Sequence, residues 1–181
     1  DIKRIVDEFS KFARMPELRR KNENLSALVE STVSLQQAGQ PNVLINLSIP
    51  KLPIFTSIDA TLINQAITNI LKNAGEAIET RLQAASASNH DGVIEVSLKN
   101  KSDSVLLNIS DNGVGLPQDR SRLFEPYVTT RDKGTGLGLA IVKKIIEEHG
   151  GILKLEDAAP FKNTGIVGAL ISIELPKPKN L

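Results

Sequence analysis

Three clusters of polar and glycine residues stand out in an otherwise aliphatic chain. Gln65, Asn69 and Asn73 recur at every fourth position, and Glu76 follows on the same stripe, a spacing that places them along one edge of a helix. Asn costs a helix roughly 0.5 kcal/mol against Ala, so its repetition there asks for a reason. Amide and carboxylate oxygens suit a hard cation such as Mg2+, which keeps waters and shares phosphate oxygens. The same side chains would also serve to hydrogen-bond loops or water at the border of a core. The second cluster, Asp111-Asn112-Gly113-Val114-Gly115-Leu116-Pro117, follows an alternating apolar run. An acid at a strand end sits on rigid scaffold, and the glycines after it let backbone approach a ligand closely. Such a carboxylate can accept from an amino group such as the exocyclic amine of adenine; a plain Asp-Asn turn with glycines at positive φ is the other reading. The third cluster, Lys133-Gly134-Thr135-Gly136-Leu137-Gly138-Leu139-Ala140, leads into a helix. Its backbone N–H groups and the helix dipole favour an anion, Thr135 adds a hydroxyl, and Arg131 and Lys133 add positive charge, a set that could cradle a triphosphate. A structural glycine loop is the alternative.

Two better-known glycine loops are excluded. No Gly-Lys-Ser/Thr is present for a Walker loop, and the Gly134–Gly138 run spaces its glycines as G-x-G-x-G after an irregular segment, not as G-x-G-x-x-G after a strand. Between the second and third clusters lies Arg122-Leu123-Phe124-Glu125-Pro126-Tyr127-Val128-Thr129-Thr130. Its two aromatics, set between glycine hinges, read as the fixed point of a loop that closes over a ligand, or as a short helical turn packed on the core.

The elements that must position these groups follow from periodicity. A helical stripe of Ile2, Ile5, Val6, Phe9 and Phe12 ends at Pro16, and residues 17–23 form a charged run that reads as a linker. Asn24 is placed to cap a helix reaching about Gln37, stopped by Gly39-Gln40-Pro41. Val43–Ile49 alternates as a strand, and Ile54–Thr56 is a short extended piece. Asp59 caps a long helix to about Ala85 whose apolar face is Leu62, Ile63, Ala66, Ile70, Ala74, Ala77 and Ile78. A polar loop at 86–92 precedes a hairpin of Val93–Leu98 and Val105–Ile109. Leu137–Glu148 is helical, stopped by Gly150-Gly151, and Ile152–Leu155 and Ile166–Leu175 close the chain as strands, leaving a tail over 177–181. Helices and strands mix without strict alternation, which points to an α/β sandwich with one mixed sheet.

Composition narrows the function. Lys+Arg 22 against Asp+Glu 21 leaves a net charge of +1, so no electrostatic footprint for nucleic acid shows. Without cysteine, disulfides, thiolate zinc sites and cysteine nucleophiles are excluded. No apolar run approaches the roughly 18 residues of a membrane span. His90 lies in the polar loop, and His149 stands at a helix C-terminus, where a cation is favourable. The first stripe faces nothing nearby in sequence. It reads as the tail of a longer helix whose partner lies outside the chain, the alternative being a helix docked on its own domain.

Taken in order, the segments resemble the boxes of the GHKL ATPase superfamily. Asn69-x-x-x-Asn73-Ala74 is similar to its N box, Asp111-x-Gly113-x-Gly115 to its G1 box, and Gly134-Thr135-Gly136-Leu137-Gly138-Leu139 to its G2 box. Leu123-Phe124-Glu125-Pro126 resembles the F box of sensor histidine kinases, and His149-Gly150-Gly151 is typical of that branch. The likeness covers about residues 24–176. Asp7-Glu8-Phe9-Ser10-x-Phe12-Ala13-Arg14-Met15-Pro16 further resembles the end of the second dimerisation helix in NtrY-type nitrogen-regulation kinases, relatives of the NtrB type.

The resemblance implies a Bergerat two-layer α/β sandwich over 24–176 with helices on one face of a mixed sheet, preceded by a remnant of the dimerisation and phosphoacceptor hairpin over 1–16. It implies ATP and Mg2+ as cofactors. Asn73 would be the principal metal ligand with Asn69 beside it, and Asp111 would bind the adenine amine. Gly113 and Gly115 would hinge a lid fixed by Phe124, and Gly134, Thr135, Gly136, Leu137 and Gly138 would turn amides to the phosphates. Glu76 stands where many kinases carry Lys or Arg, a substitution frequent in the NtrB type, and Arg131 or Lys133 would then supply the missing charge. Hydrolytic relatives carry Glu where Asn69 stands, and Asn cannot act as that general base. The expected reaction is therefore transfer of the γ-phosphoryl group to a histidine on the dimerisation domain, upstream of this sequence, and from there to a response-regulator aspartate. The implied setting is a cytoplasmic domain of a bacterial kinase that forms a homodimer, with an inner-membrane anchor compatible with the rest of the parent. A GHKL conformational clamp of the gyrase, MutL or chaperone kind, and a degenerate module that only makes protein contacts, are the competing readings.

Overall fold

The structure is a computed structural model that describes residues 2–13, 17–85, 91–127, 136–162 and 165–178. Pro16, His90, Arg131, Lys133, Gly134 and Thr135, all singled out above, lie outside the described residues. The elements run α1 (Ile2–Ala13), β1 (Lys21–Asn24), α2 (Leu25–Gly39), β2 (Val43–Ser48), β3 (Phe55–Ile58), α3 (Ala60–Ala85), β4 (Gly92–Asn100), β5 (Ser104–Asp111), α4 (Gly138–Glu148), β6 (Ile152–Asp157) and β7 (Ala169–Pro176).

A five-stranded sheet in the order β2-β4-β5-β7-β6 forms one layer. β2 runs parallel to β4 and the other neighbours are antiparallel, so the sheet is mixed as expected. Period-2 alternation sorts its faces. Val96, Leu98, Val105, Leu107, Ile109, Ile171, Ile173 and Leu175 are buried, whereas Glu95 and Lys99 stay exposed. The buried face receives α2 against β2, α3 against β4 and β5, and α4 against β6. One core cluster joins the two layers. Its centre is α3, whose apolar face adds Ile67 and Leu71 to the stripe read from the sequence, all nine residues buried.

Helix ends follow local chemistry. Asn24 Oδ1 accepts from Ala27 N–H at 3.0 Å, and Asp59 Oδ1 accepts from Thr61 and Leu62 N–H, each satisfying donors that have no partner within the helix. Gly150 stops α4 with φ +70°.

One element departs from the sequence reading. The run 17–23 is not simply a linker: Lys21–Asn24 is a strand, paired antiparallel with Phe55–Ile58 from Lys21↔Ile58 to Asn24↔Phe55. Its Lys-Asn-Glu-Asn sequence has no apolar alternation to announce it, because the buried side chains of this pair, Thr56 and Ile58, all come from β3. Upstream of it, Arg19 N–H donates to Asp59 Oδ2 and the Arg20 guanidinium donates to the Glu148 carbonyl.

His149 also differs from expectation. It is 2% exposed and works as a neutral acceptor, not as a cation at a helix end. Its Nδ1 lies 2.7 Å from the Ile145 carbonyl and so carries the proton, leaving Nε2 to accept from Asp59 N–H at 3.0 Å. Burial pushes its pKa below the ordinary value of 6.5, against the opposing pull of the Ile145 carbonyl. The bond ties the C-terminus of α4 to the N-terminus of α3. Its contribution to stability is complete above pH about 6.5, where the unfolded histidine is neutral as well, and declines below it as only the unfolded chain takes up a proton. Thermal unfolding followed between pH 7.5 and 5 should therefore show a falling midpoint in the wild type and a shallower fall in His149→Gln. Parallel slopes would contradict the neutral-acceptor assignment.

Candidate nucleotide site

α3 is the spine on which the separate segments meet. Asn73 is half-buried on its edge, and the first residue of α4 lies against it: a Cβ on Gly138 would stand 3.6 Å from Asn73 Nδ2 and 3.8 Å from Oδ1. One turn further along, the Ala77 carbonyl accepts from Val114 N–H at 3.3 Å. A Cβ on Gly113 would come within 2.7 Å of the Ala77 carbonyl carbon, so only glycine lets the turn after β5 lie on the helix. Two consecutive turns of α3 thus bring the Asn73 amide, the turn after Asp111 and the start of α4 together. Asn69 sits one turn before Asn73, also half-buried, and Glu76 is exposed.

Asp111 closes β5, paired with Ile94 on β4. It shares the inward face of Leu107 and Ile109 and is 5% exposed, so its carboxylate is held at the end of the core. Gly113 N–H donates to its Oδ1 at 2.8 Å. Gly115, not Gly113, takes the positive φ, +76°.

The approach to α4 is fixed at its base. Tyr127 N–H donates to the Gly136 carbonyl at 3.0 Å, and Tyr127 itself holds φ +67°. Phe124 is half-buried with Lys143 Nζ of α4 5.2 Å from its ring centroid, close enough for a cation–π contact. The segment around it is a set of turns, with Glu125 N–H donating to the Arg122 carbonyl and a 2.9 Å Arg122–Glu125 ion pair. Leu137 is fully buried and, as the N-cap residue of α4, offers no side-chain hydrogen bond to its first turn; N–H groups at such a helix start suit an anion.

Residue chemistry fits ATP and a hard cation. A buried carboxylate can read an amine, a helical amide lies against the start of α4, and glycines stand where backbone must approach. Among the described residues no group of three His, Cys, Asp or Glu could hold a metal, so a cation here would rely on amide, phosphate and water oxygens. A separate surface concavity lies on the open face of the sheet, lined by Asn46, Ser97 and Asn108 among others.

Two contributors escaped the sequence reading. Gly168, just before β7, would place a Cβ 1.8 Å from the Asp111 carbonyl oxygen, and Asn112 is wholly buried. Gly168 carries no side chain to give a chemical signal, and Asn112 looked like an ordinary turn residue.

A mixed sheet with three helices on one face, a strand-end Asp and a helical Asn pair define an ATPase of known kind. The family described as histidine kinase-, DNA gyrase B- and HSP90-like ATPase matches residues 58–179, and the chain belongs to it. Within that family it is an ATP-binding catalytic domain of the sensor histidine kinase type. It is 49% identical, over 87% of its length, to the nitrogen regulation protein NtrY of Azorhizobium caulinodans, of which it spans 20%. The mycobacterial sensor histidine kinase MprB superposes with a TM-score of 0.72 at 25% identity, over 88% of this chain and 98% of that one. The histidine kinase ThkA in complex with the response regulator TrrA shares the fold, with a TM-score of 0.74 at 23% identity over 98% of this chain and 47% of that one.

Proposed function

We propose that this domain binds Mg2+-ATP between α3 and α4 and gives the γ-phosphoryl group to a histidine on a helical dimerisation domain, from which a response-regulator aspartate receives it. The observation that carries the reading is the seating of Asn73 against Gly138 and of Ala77 against the turn after Asp111. Asn73, with Asn69 one turn away, would hold Mg2+, and the bound ion would neutralise phosphate charge. The chain's own part is positioning. Asp111 orients the base, and the amides at the start of α4 orient the phosphates, with Arg131 and Lys133 supplying the charge that Glu76 does not.

His149 is not the acceptor in this reading. Both ring nitrogens of buried His149 are already bonded. α1 suits the end of the dimerisation helix, since Ile2 and Val6 stand 81% and 55% exposed. The TrrA complex of ThkA supports a receiver domain as partner.

Titration with a non-hydrolysable ATP analogue tests this. Affinity should rise when Mg2+ is added, and Asn73→Ala should remove that rise while leaving metal-free binding in place. An Mg2+ effect that survives the substitution would refute the ligand assignment. Steady, rapid ATP turnover by the purified chain would favour the clamp reading instead, because Asn69 supplies no general base.

A further inference from the structure

We infer that Asn112 is a positioning residue for base recognition: its side chain forms the last rung of the β4–β5 ladder and thereby sets where the Asp111 carboxylate stands. The inference rests on the nucleotide reading of the site.

The backbone ladder between β4 and β5 ends at the pair Ile94↔Asp111. One residue on, the chain must leave the sheet, because Gly113 and Val114 lie on α3 at Ala77. A strand that turns away here would lose the rung opposite Val93. Asn112 restores it with mixed chemistry. Its own N–H donates to the Val93 carbonyl at 3.2 Å. Its side-chain Oδ1, standing in for a strand carbonyl, accepts from Val93 N–H at 2.9 Å. Its Nδ2 then donates to the Asp91 carbonyl at 2.6 Å, the same carbonyl that accepts from the Arg81 guanidinium of α3 at 3.1 Å.

The residue is 0% exposed, so water cannot replace any of these bonds, and a lost partner leaves a buried donor or acceptor unpaired. Asp111 is thus gripped from both sides, by the Ile94 pairing at its own position and by the side-chain rung just after it. Asn is the residue this requires: it offers one acceptor and two donors on a planar group. Asp could not donate to the Asp91 carbonyl, and Ser reaches less far.

The inference predicts a loss confined to the base. Asn112→Ala and Asn112→Ser should weaken an ATP analogue about tenfold, within the range set by a hydrogen bond to a charged group. Inorganic triphosphate and a GTP analogue, neither of which presents the adenine amine, should bind as to the wild type. Equal losses for all three ligands, or no loss for ATP in a folded variant, would overturn it. Asp111→Ala run alongside separates the two levels. If Asp111→Ala leaves the ATP-to-GTP ratio unchanged, the adenine reading itself fails; if it shifts the ratio and the Asn112 variants do not, only the positioning role fails. Should both Asn112 variants prove unfolded, hydrogen exchange on the unmodified protein decides. Adenosine should slow exchange of the Val93 amide and inorganic triphosphate should not, and a Val93 amide indifferent to adenosine would refute the link.

Discussion

Gly168→Ala is expected to destabilise the domain by about 3 kcal/mol or more and to abolish measurable ATP binding. The added Cβ would fall 1.8 Å from the Asp111 carbonyl oxygen, 2.7 Å from its carbonyl carbon and 3.0 Å from Asn112 Cα. All three are backbone atoms, so no side chain can swing aside. Either the lead-in to β7 or the end of β5 must move. The lead-in is itself held, with the Gly168 carbonyl accepting from Ala158 N–H at 3.0 Å. β5 is the middle strand, paired with β4 on one side and β7 on the other. The strain therefore falls on the residue that would read adenine. A thermal melt and an ATP-analogue titration measure the two losses together. A variant with wild-type midpoint and wild-type affinity would mean that these backbones do not approach as closely as described.

Asp111→Ala is expected to weaken ATP about 10- to 100-fold, since a hydrogen bond to a charged group is worth roughly 1.5–3 kcal/mol. Stability should change less than in Gly168→Ala, because truncating a side chain does not push the β5 and β7 backbones apart. The decisive comparison is with a GTP analogue, whose base carries an oxo group in place of the amine and so gains nothing from Asp111. Its weaker binding should be insensitive to the substitution. Unchanged ATP affinity in a folded Asp111→Ala would remove the assignment of the base end of the site, and with it the orientation proposed for the phosphates.

Much of this architecture was legible in the amino-acid pattern, for physical reasons. The apolar face of α3 has helical period, its cap is an Asp, and the β4–β5 hairpin alternates cleanly, so elements and faces follow from spacing alone. Asn73, Asp111 and the glycine turns drew notice because each is a costly choice without a local need, and the structure brings them together around α3. Illegible features had no such cost on display. β1 is polar and lies in a charged run; its existence depends on its pairing with β3, from Lys21↔Ile58 to Asn24↔Phe55, on the far side of α2 and β2 in the chain. Gly168 matters through an atom it lacks, and only the neighbouring backbone shows this. His149 is structural, as its place at a helix end suggests, but the cation that such an end favours in water is disfavoured here by burial.

The place of Asp111 on the middle strand has a consequence for how such a domain works within a larger machine. Moving it as a unit would not shear β4, β5 and β7 past one another, so a base read by Asp111, as proposed, would keep its fit wherever the domain is swung. On the proposed function, a nucleotide loaded in one orientation of the parent protein would be carried, already held by its base, to the imidazole proposed to take its phosphate.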